Sequence, residues 1–167
     1  MRVWVYKVNA RRPGRFTGWH FRQYFGYRGE RPYEMGGREW IRSPQSWARL
    51  RRVRRGDLFV CYQSDERNIY GLARAASAGY ESQRGSGVFD SIDFAPRGLR
   101  LKNPVDVRAP LFRHLRAFTV PSRGTIHRLA ADELRALLHH LIASNPSQHA
   151  VILAFVEARA SRRAARK

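Results

Sequence analysis

Between Gly56 and Ala75 the chain reads GDLFVCYQSDERNIYGLARA, and its apolar positions alternate. Leu58, Val60 and Tyr62 interleave with Phe59, Cys61 and Gln63, the polar run Ser64 to Asn68 turns the chain, and Ile69, Tyr70, Leu72 and Ala73 follow. That pattern predicts a β-hairpin, with Gly56-Asp57 marking its start. Gly71 inside the second arm predicts a bulge or a close approach of another group to the backbone. Arg2 to Val8 (RVWVYKV) alternates in the same way and predicts a central first strand.

Helical signals are fewer. Thr17 can cap a short helix over Trp19 to Phe25, although Gly18 disfavours it. Ser43-Pro44 places a hydroxyl N-cap before a proline at the first helical position, predicting a helix through Trp47 and Leu50 that ends before Gly56. Leu111 to Phe118 predicts a short helix, and Leu134, Leu137, Leu138 and Leu141 have helical spacing over Ala131 to Ala143, with Asp132 and Glu133 in the first turn complementing the dipole. Asn145-Pro146 predicts a cap and start for a last helix, Pro146 to about Arg159, with a strand over Val151 to Val156 as the alternative.

Short strands are expected at Leu99 to Leu101 and Val105 to Val107 on either side of Asn103-Pro104, and at Thr125 to Leu129; Val88-Phe89 and Ile92 to Phe94 make a short apolar segment, and Ser77 to Gly87 reads as a polar loop carrying Tyr80. Short consecutive strands with few helices argue an α+β fold: a small mixed, largely antiparallel β-barrel with flanking helices. Residues 1–144 are expected to form its body, and 145–167 a C-terminal helix and basic tail of the same domain. Gly26 to Gly37 reads as an ordered loop, because Tyr27 and Tyr33, with Tyr24 and Phe25 before them, are too aromatic for a solvated linker. Mixed with Arg22, Arg28, Arg31 and Arg38, these rings are either a stacking platform for bases or, more simply, folded onto the core.

At 167 residues with 43% apolar side chains, the chain is expected to bury one core. It carries no run of membrane-spanning length and opens directly on MRVWVYKV, so a cytoplasmic protein is expected. The single cysteine, Cys61, excludes an internal disulfide and a cysteine-based zinc site, and its strand position reads as core.

Charge changes the picture most. Lys plus Arg number 32 against 13 Asp plus Glu, a formal charge of +19, and all but Lys7, Lys102 and Lys167 of the cations are arginine. Such an excess repels itself and points to a polyanionic partner. Arginine's planar fork grips phosphate at two points and stacks on bases, which suits nucleic acid better than a membrane surface. Arg49, Arg51, Arg52, Arg54 and Arg55 form the densest basic run, with no acidic residue among them.

Catalytic patterns are absent from the sequence. His139 and His140 are adjacent on a predicted helix and do not share the i, i+4 face of a metal pair; the remaining histidines stand without acidic or cysteine neighbours at ligand spacing. Asp90 and Asp93 are the one pair a magnesium-dependent nuclease could use, and a turn-closing role is the plainer reading. There is no P-loop, dinucleotide fingerprint or nucleophile elbow. The sequence therefore argues for no enzyme, no metal and no cofactor. What remains suits a binding module: flat aromatic walls, polar groups to read a base edge, and basic residues for the backbone. Trp19, Trp40, Trp47, Tyr62 and Tyr80 are the candidate walls. Trp4 and Trp47 read as core, whereas Trp40 stands at a loop-to-helix junction between Gly36-Gly37 and Arg42.

The order of motifs resembles a known family. A first strand ends in Lys7-Val8-Asn9, Trp40 precedes a capped basic helix, the hairpin GDLFVCYQS to NIYGLARA follows, then SGVFDSID (Ser86 to Asp93), and SRGTIHRL precedes a Leu-rich helix. Over roughly Arg2 to Leu141 this is similar to the EVE and YTH branch of the PUA-like superfamily. The resemblance implies a small barrel with an aromatic cage that holds one extruded, modified base. By position, Trp40 matches the first cage wall, Asn9 the polar edge reader and Tyr80 a second wall. Tyr62 and Ser64 match residues facing the pocket in EVE domains, and Arg123 matches an arginine of their motif. Lys7, Arg42, Arg49, Arg51, Arg52 and Arg123 are the expected phosphate contacts. Val8 replaces the serine of the YTH Lys-Ser-Asn motif, and the loop Gly26 to Gly37 has no clear equivalent.

The expected function is a non-catalytic, monomeric reader of a methylated base, in DNA by preference, with any effector supplied by another protein. An RNA-binding PUA-like protein that ignores modification, or a metal-dependent nuclease, are the alternatives.

Overall fold

The computed structural model describes residues 1–9, 20–27, 38–41, 43–119 and 125–158. In chain order these form β1 (Val3–Val8), α1 (Phe21–Tyr24), β2 (Arg38–Trp40), α2 (Pro44–Leu50), β3 (Leu58–Gln63), β4 (Asn68–Arg74), β5 (Tyr80–Glu81), β6 (Phe89–Asp93), β7 (Leu99–Asp106), α3 (Arg116–Thr119), β8 (Ile126–Leu129), α4 (Ala131–Ser144) and α5 (His149–Glu157). A 3-10 turn over Pro110–His114 precedes α3, and another over Pro146–Gln148 leads into α5.

The strands make two sheets. The larger has the order β7-β4-β3-β1-β8, with β1 and β3 parallel and the other pairs antiparallel; the smaller has the order β2-β6-β5. An isolated bridge between Ala75 and Phe94 joins them at one corner. The α+β class is as expected, but the strands do not close on themselves into a barrel.

Alternation along β1 and β3 sorts their side chains into two apolar layers. Val3, Val5, Leu58, Val60 and Tyr62 face one layer, where Leu137 and Leu141 of α4 and Ile152 and Val156 of α5 cover them. Trp4, Tyr6, Val8, Phe59 and Cys61 face the other, closed by Ile92 and Phe94 with Phe21, Ile41 and Leu50. A sheet covered on both faces explains why β1 and β3 read as nearly continuous apolar runs. Cys61 is fully buried, and burial pushes its thiol well up, as fits a core residue. Asp57 is buried beneath this sheet edge, where it accepts from the backbone N–H groups of Arg2 and Arg54 and from the Trp4 indole at 2.9 to 3.0 Å.

Gly71 has both predicted properties. The register shifts between Ile69 and Gly71, and a Cβ there would lie 2.5 Å from Cζ of Phe25 and closer still to the Leu99 carbonyl oxygen. The approaching group is thus the protein's own α1 turn and β7. Tyr24, Phe25 and Tyr27 pack against the second apolar layer, and the Tyr27 hydroxyl donates to the Leu101 carbonyl at 2.5 Å, so these rings are folded onto the core. Tyr33, Arg28 and Arg31 lie outside the described residues, as do Thr17 and Trp19; His20 caps α1, its Nδ1 accepting from the Arg22 N–H.

Two expectations change, and the last helix stands. The segments on either side of Asn103-Pro104 are one strand, β7, which tolerates proline because it is an edge strand carrying a bulge. Asn145 does not cap the helix that follows it: its side chain accepts from the Asn103 N–H at 2.8 Å and donates to the Asn103 carbonyl at 3.0 Å, completing the outer edge of β7. Gln148 does the same at Lys102 and Arg100, so the edge is covered by side chains rather than another strand. Residues 151–156 are helical, and Arg74 closes that helix by donating to the Phe155 and Val156 carbonyls.

Candidate nucleic-acid interface

The smaller sheet sets the first group of expected residues. Trp40 pairs with Ser91 from one side, and Tyr80 pairs with the same Ser91 from the other, so the three residues form one row across β2, β6 and β5. The strand carrying Tyr80 is two residues long, inside what the sequence reads as a loop. Tyr80 is half-buried, and its hydroxyl donates to Asp93 Oδ1 at 2.8 Å, which fixes the ring along β6. For Trp40 the structure describes the backbone; the side chain is outside what it describes. Arg42 and Arg123 lie outside the described residues.

Asn9 follows the end of β1, and Ser64 follows the end of the adjacent β3. The Ser64 hydroxyl and N–H both donate to the Val8 carbonyl, at 3.0 and 2.8 Å, clamping these parallel strand ends together beside Asn9. Val8 and Ile41, the chain neighbours of Asn9 and Trp40, belong to the same apolar layer.

Tyr62 and Lys7 occupy a different place. Both point to the α4 face of the larger sheet, opposite the layer closed by the smaller one. Tyr62 is buried edge-on to Phe118 at 5.1 Å between ring centroids, and the Lys7 ammonium stands 5.9 Å from the Tyr62 ring centre. Burial and the neighbouring Arg49 guanidinium bring the Lys7 ammonium down to about 8. Burial raises the Tyr62 phenol. The structure therefore brings Lys7 together with Tyr62, and Trp40 together with Tyr80, in separate places.

The basic run on α2 divides by helical geometry. Ser46, Leu50 and, just past the helix, Val53 face inward and are fully buried; the Ser46 hydroxyl accepts from the Thr125 and Ile126 N–H groups at 2.7 and 3.1 Å. Arg49 turns toward β8, donating to the Ile126 carbonyl at 2.8 Å and lying 3.1 Å from His127 Nδ1. Arg51 and Arg52 are exposed on the outer side. Trp47 is half-buried rather than core; its indole N–H donates to the Ile41 carbonyl at 2.8 Å. The spacing of Pro44, Trp47, Ala48 and Arg51 (i, i+3, i+4, i+7) was the available signal that these share an outer stripe.

The carboxylates named as a nuclease pair are engaged separately. Asp90 is buried and accepts from the Ser82 N–H and hydroxyl at 2.8 and 2.6 Å, whereas Asp93 accepts from Tyr80. Among the described residues no three His, Cys, Asp or Glu cluster as metal ligands, and no helix is long and apolar enough to cross a membrane.

No family model and no curated protein matches the sequence. Solved structures do match in fold. Rpa0253 from Rhodopseudomonas palustris superposes with a TM-score of 0.63 at 19% identity, over 90% of this chain and 97% of that one. Atu2648 from Agrobacterium tumefaciens gives 0.62 at 16% identity, over 86% and 93%. This chain shares the fold of these proteins. Human THYN1, solved in complex with DNA containing 5-methylcytosine, has the same fold, with a TM-score of 0.58 at 16% identity over 84% of this chain and 98% of that one.

Proposed function

We propose that the protein is a nucleic-acid-binding reader that takes an extruded, methylated base between Trp40 and Tyr80, in DNA by preference, and performs no chemistry on it. The row Trp40, Ser91, Tyr80 carries this reading, because it sets two aromatic residues one strand apart on either side of a small buried residue. Asn9, held beside the Ser64 clamp, supplies an edge-reading group. The charge of +19 supplies the sequence-independent hold on phosphate. The complex of human THYN1 with 5-methylcytosine DNA supports the choice of DNA and of a methylated base on this fold.

A methyl group buried in an aromatic pocket is worth about 0.8 kcal/mol and base stacking about 1 to 3 kcal/mol. Preference for the modified base is then about fourfold, set on top of stacking that every base enjoys. The test is a competition panel of methylated and unmodified DNA and RNA at two salt concentrations. Preference for methylated DNA at both salts supports the reading; indifference to methylation with tighter RNA binding replaces it with an RNA-binding role.

A further inference from the structure

An open groove of about 680 Å3 runs between the outer stripe of α2 and the turn from β5 to β6. Pro44, Trp47, Arg51 and Arg52 form one side, and Val88 and Phe89 the other. The Arg51 guanidinium lies over the Phe89 ring at 5.4 Å from its centre, so a cation and an aromatic face are already assembled. No carboxylate lines the groove, and among the described residues none pairs with Arg51 or Arg52. The Gly87 backbone at the rim has φ +69°, and a Cβ there would meet open space.

We propose that this groove is a second subsite, which takes a nucleotide flanking the base held by the Trp40 pocket. The inference rests on the reader assignment. Its occupant is a single strand: the Arg51–Phe89 stack and the half-buried Trp47 offer flat faces, which accept only a base already unstacked from its neighbours, while a duplex keeps its base faces stacked and offers phosphates and groove edges. Arg51 holds the base and Arg52, outward and without an acidic partner among the described residues, holds the adjacent phosphate. An arginine pinned on a ring loses less freedom when a base arrives, which favours Arg51 as the stacking partner.

The experiment measures binding of single-stranded oligonucleotides with one methylated base, lengthened from one to five nucleotides, to the full chain and to R51Q, R52Q and R55Q. Arg55 is exposed, lies outside the groove and removes the same charge. The wild type is expected to tighten about tenfold with length, R51Q and R52Q to lose most of that gain, and R55Q to keep it. The salt slope should fall by about 0.7 for R52Q, one phosphate contact on a single strand. Equal losses in R52Q and R55Q, or an unchanged gain in R51Q and R52Q, would overturn the subsite. A duplex flank giving the same gain would overturn its single-stranded occupant. Methyl preference is read on the shortest oligonucleotide that binds: its absence in the wild type defeats the reader assignment while the length series still decides the groove, and absence of any binding defeats both.

Discussion

Arginine is used in opposite ways at α1 and on the outer stripe of α2. At α1, Arg22 donates to Glu66 at 3.2 Å and to the Tyr70 hydroxyl at 3.0 Å, His20 Nε2 lies 2.9 Å from Glu66, and Tyr70 donates to the same carboxylate. The whole knot ties the helix to the hairpin turn. On α2, Arg51 and Arg52 meet no carboxylate among the described residues, and Arg51 rests on a ring. A charge of +19 is therefore not one property spread evenly over the molecule. Part of it is architecture balanced from within, and part is turned outward with no acidic partner among the described residues.

The sharpest way to break this contrast is at Glu66. Replacing it by Ala leaves His20, Arg22 and the Tyr70 hydroxyl without their acceptor, and the expected loss is about 2 to 3 kcal/mol of stability in denaturant unfolding, with oligonucleotide affinity unchanged. A binding defect at retained stability would show that the α1 knot belongs to the interface after all.

The same knot makes a pH prediction. Burial presses the Glu66 carboxyl upward, but the hydrogen bonds from Tyr70 and His20 and the charges of His20 and Arg22 outweigh it and hold the group below its ordinary value. A carboxyl depressed on folding stabilises fully above its unfolded pKa and loses that contribution as pH falls through the folded one. Stability should thus decline on acidification below the usual carboxylate range, and Glu66→Gln should flatten that part of the curve.

A smaller effect separates Lys7 from the arginines. Its ammonium sits at about 8, so if it contacts phosphate, affinity should fall a few-fold as pH rises from 7 to 9, while arginine contacts do not titrate there. Lys7→Gln should abolish the dependence; a persisting slope would assign it elsewhere. Smallest of all, R51Q and R52Q should change stability by less than about 0.5 kcal/mol, since neither side chain is buried in the fold. A larger loss would mean that the outer stripe is structural.

Much of the fold was legible because period and punctuation act locally. The hairpin, the Pro44 start of α2 and the bulge at Gly71 each follow from a few neighbouring residues. What was not legible depends on partners far along the chain. Asn145 looks like a helix cap until β7, some forty residues earlier, offers its open edge at Asn103. Tyr62 alternates with Leu58 and Val60, which fixes its face, but no local pattern says that α4 rather than the smaller sheet covers that face. Trp47 reads as core beside Leu50, yet one position's rotation leaves it half outside. The pairing of Trp40 and Tyr80 across Ser91 was likewise invisible, because a two-residue strand has too few positions to alternate.

In the proposed reader the aromatic row across β6, and not charge alone, selects the ligand. This is tested most directly by Trp40→Ala, measured against the same oligonucleotide with and without its methyl group. The preference of about fourfold is expected to disappear while weak, salt-sensitive binding to both remains. An equal loss of affinity for both ligands with the preference intact would contradict it.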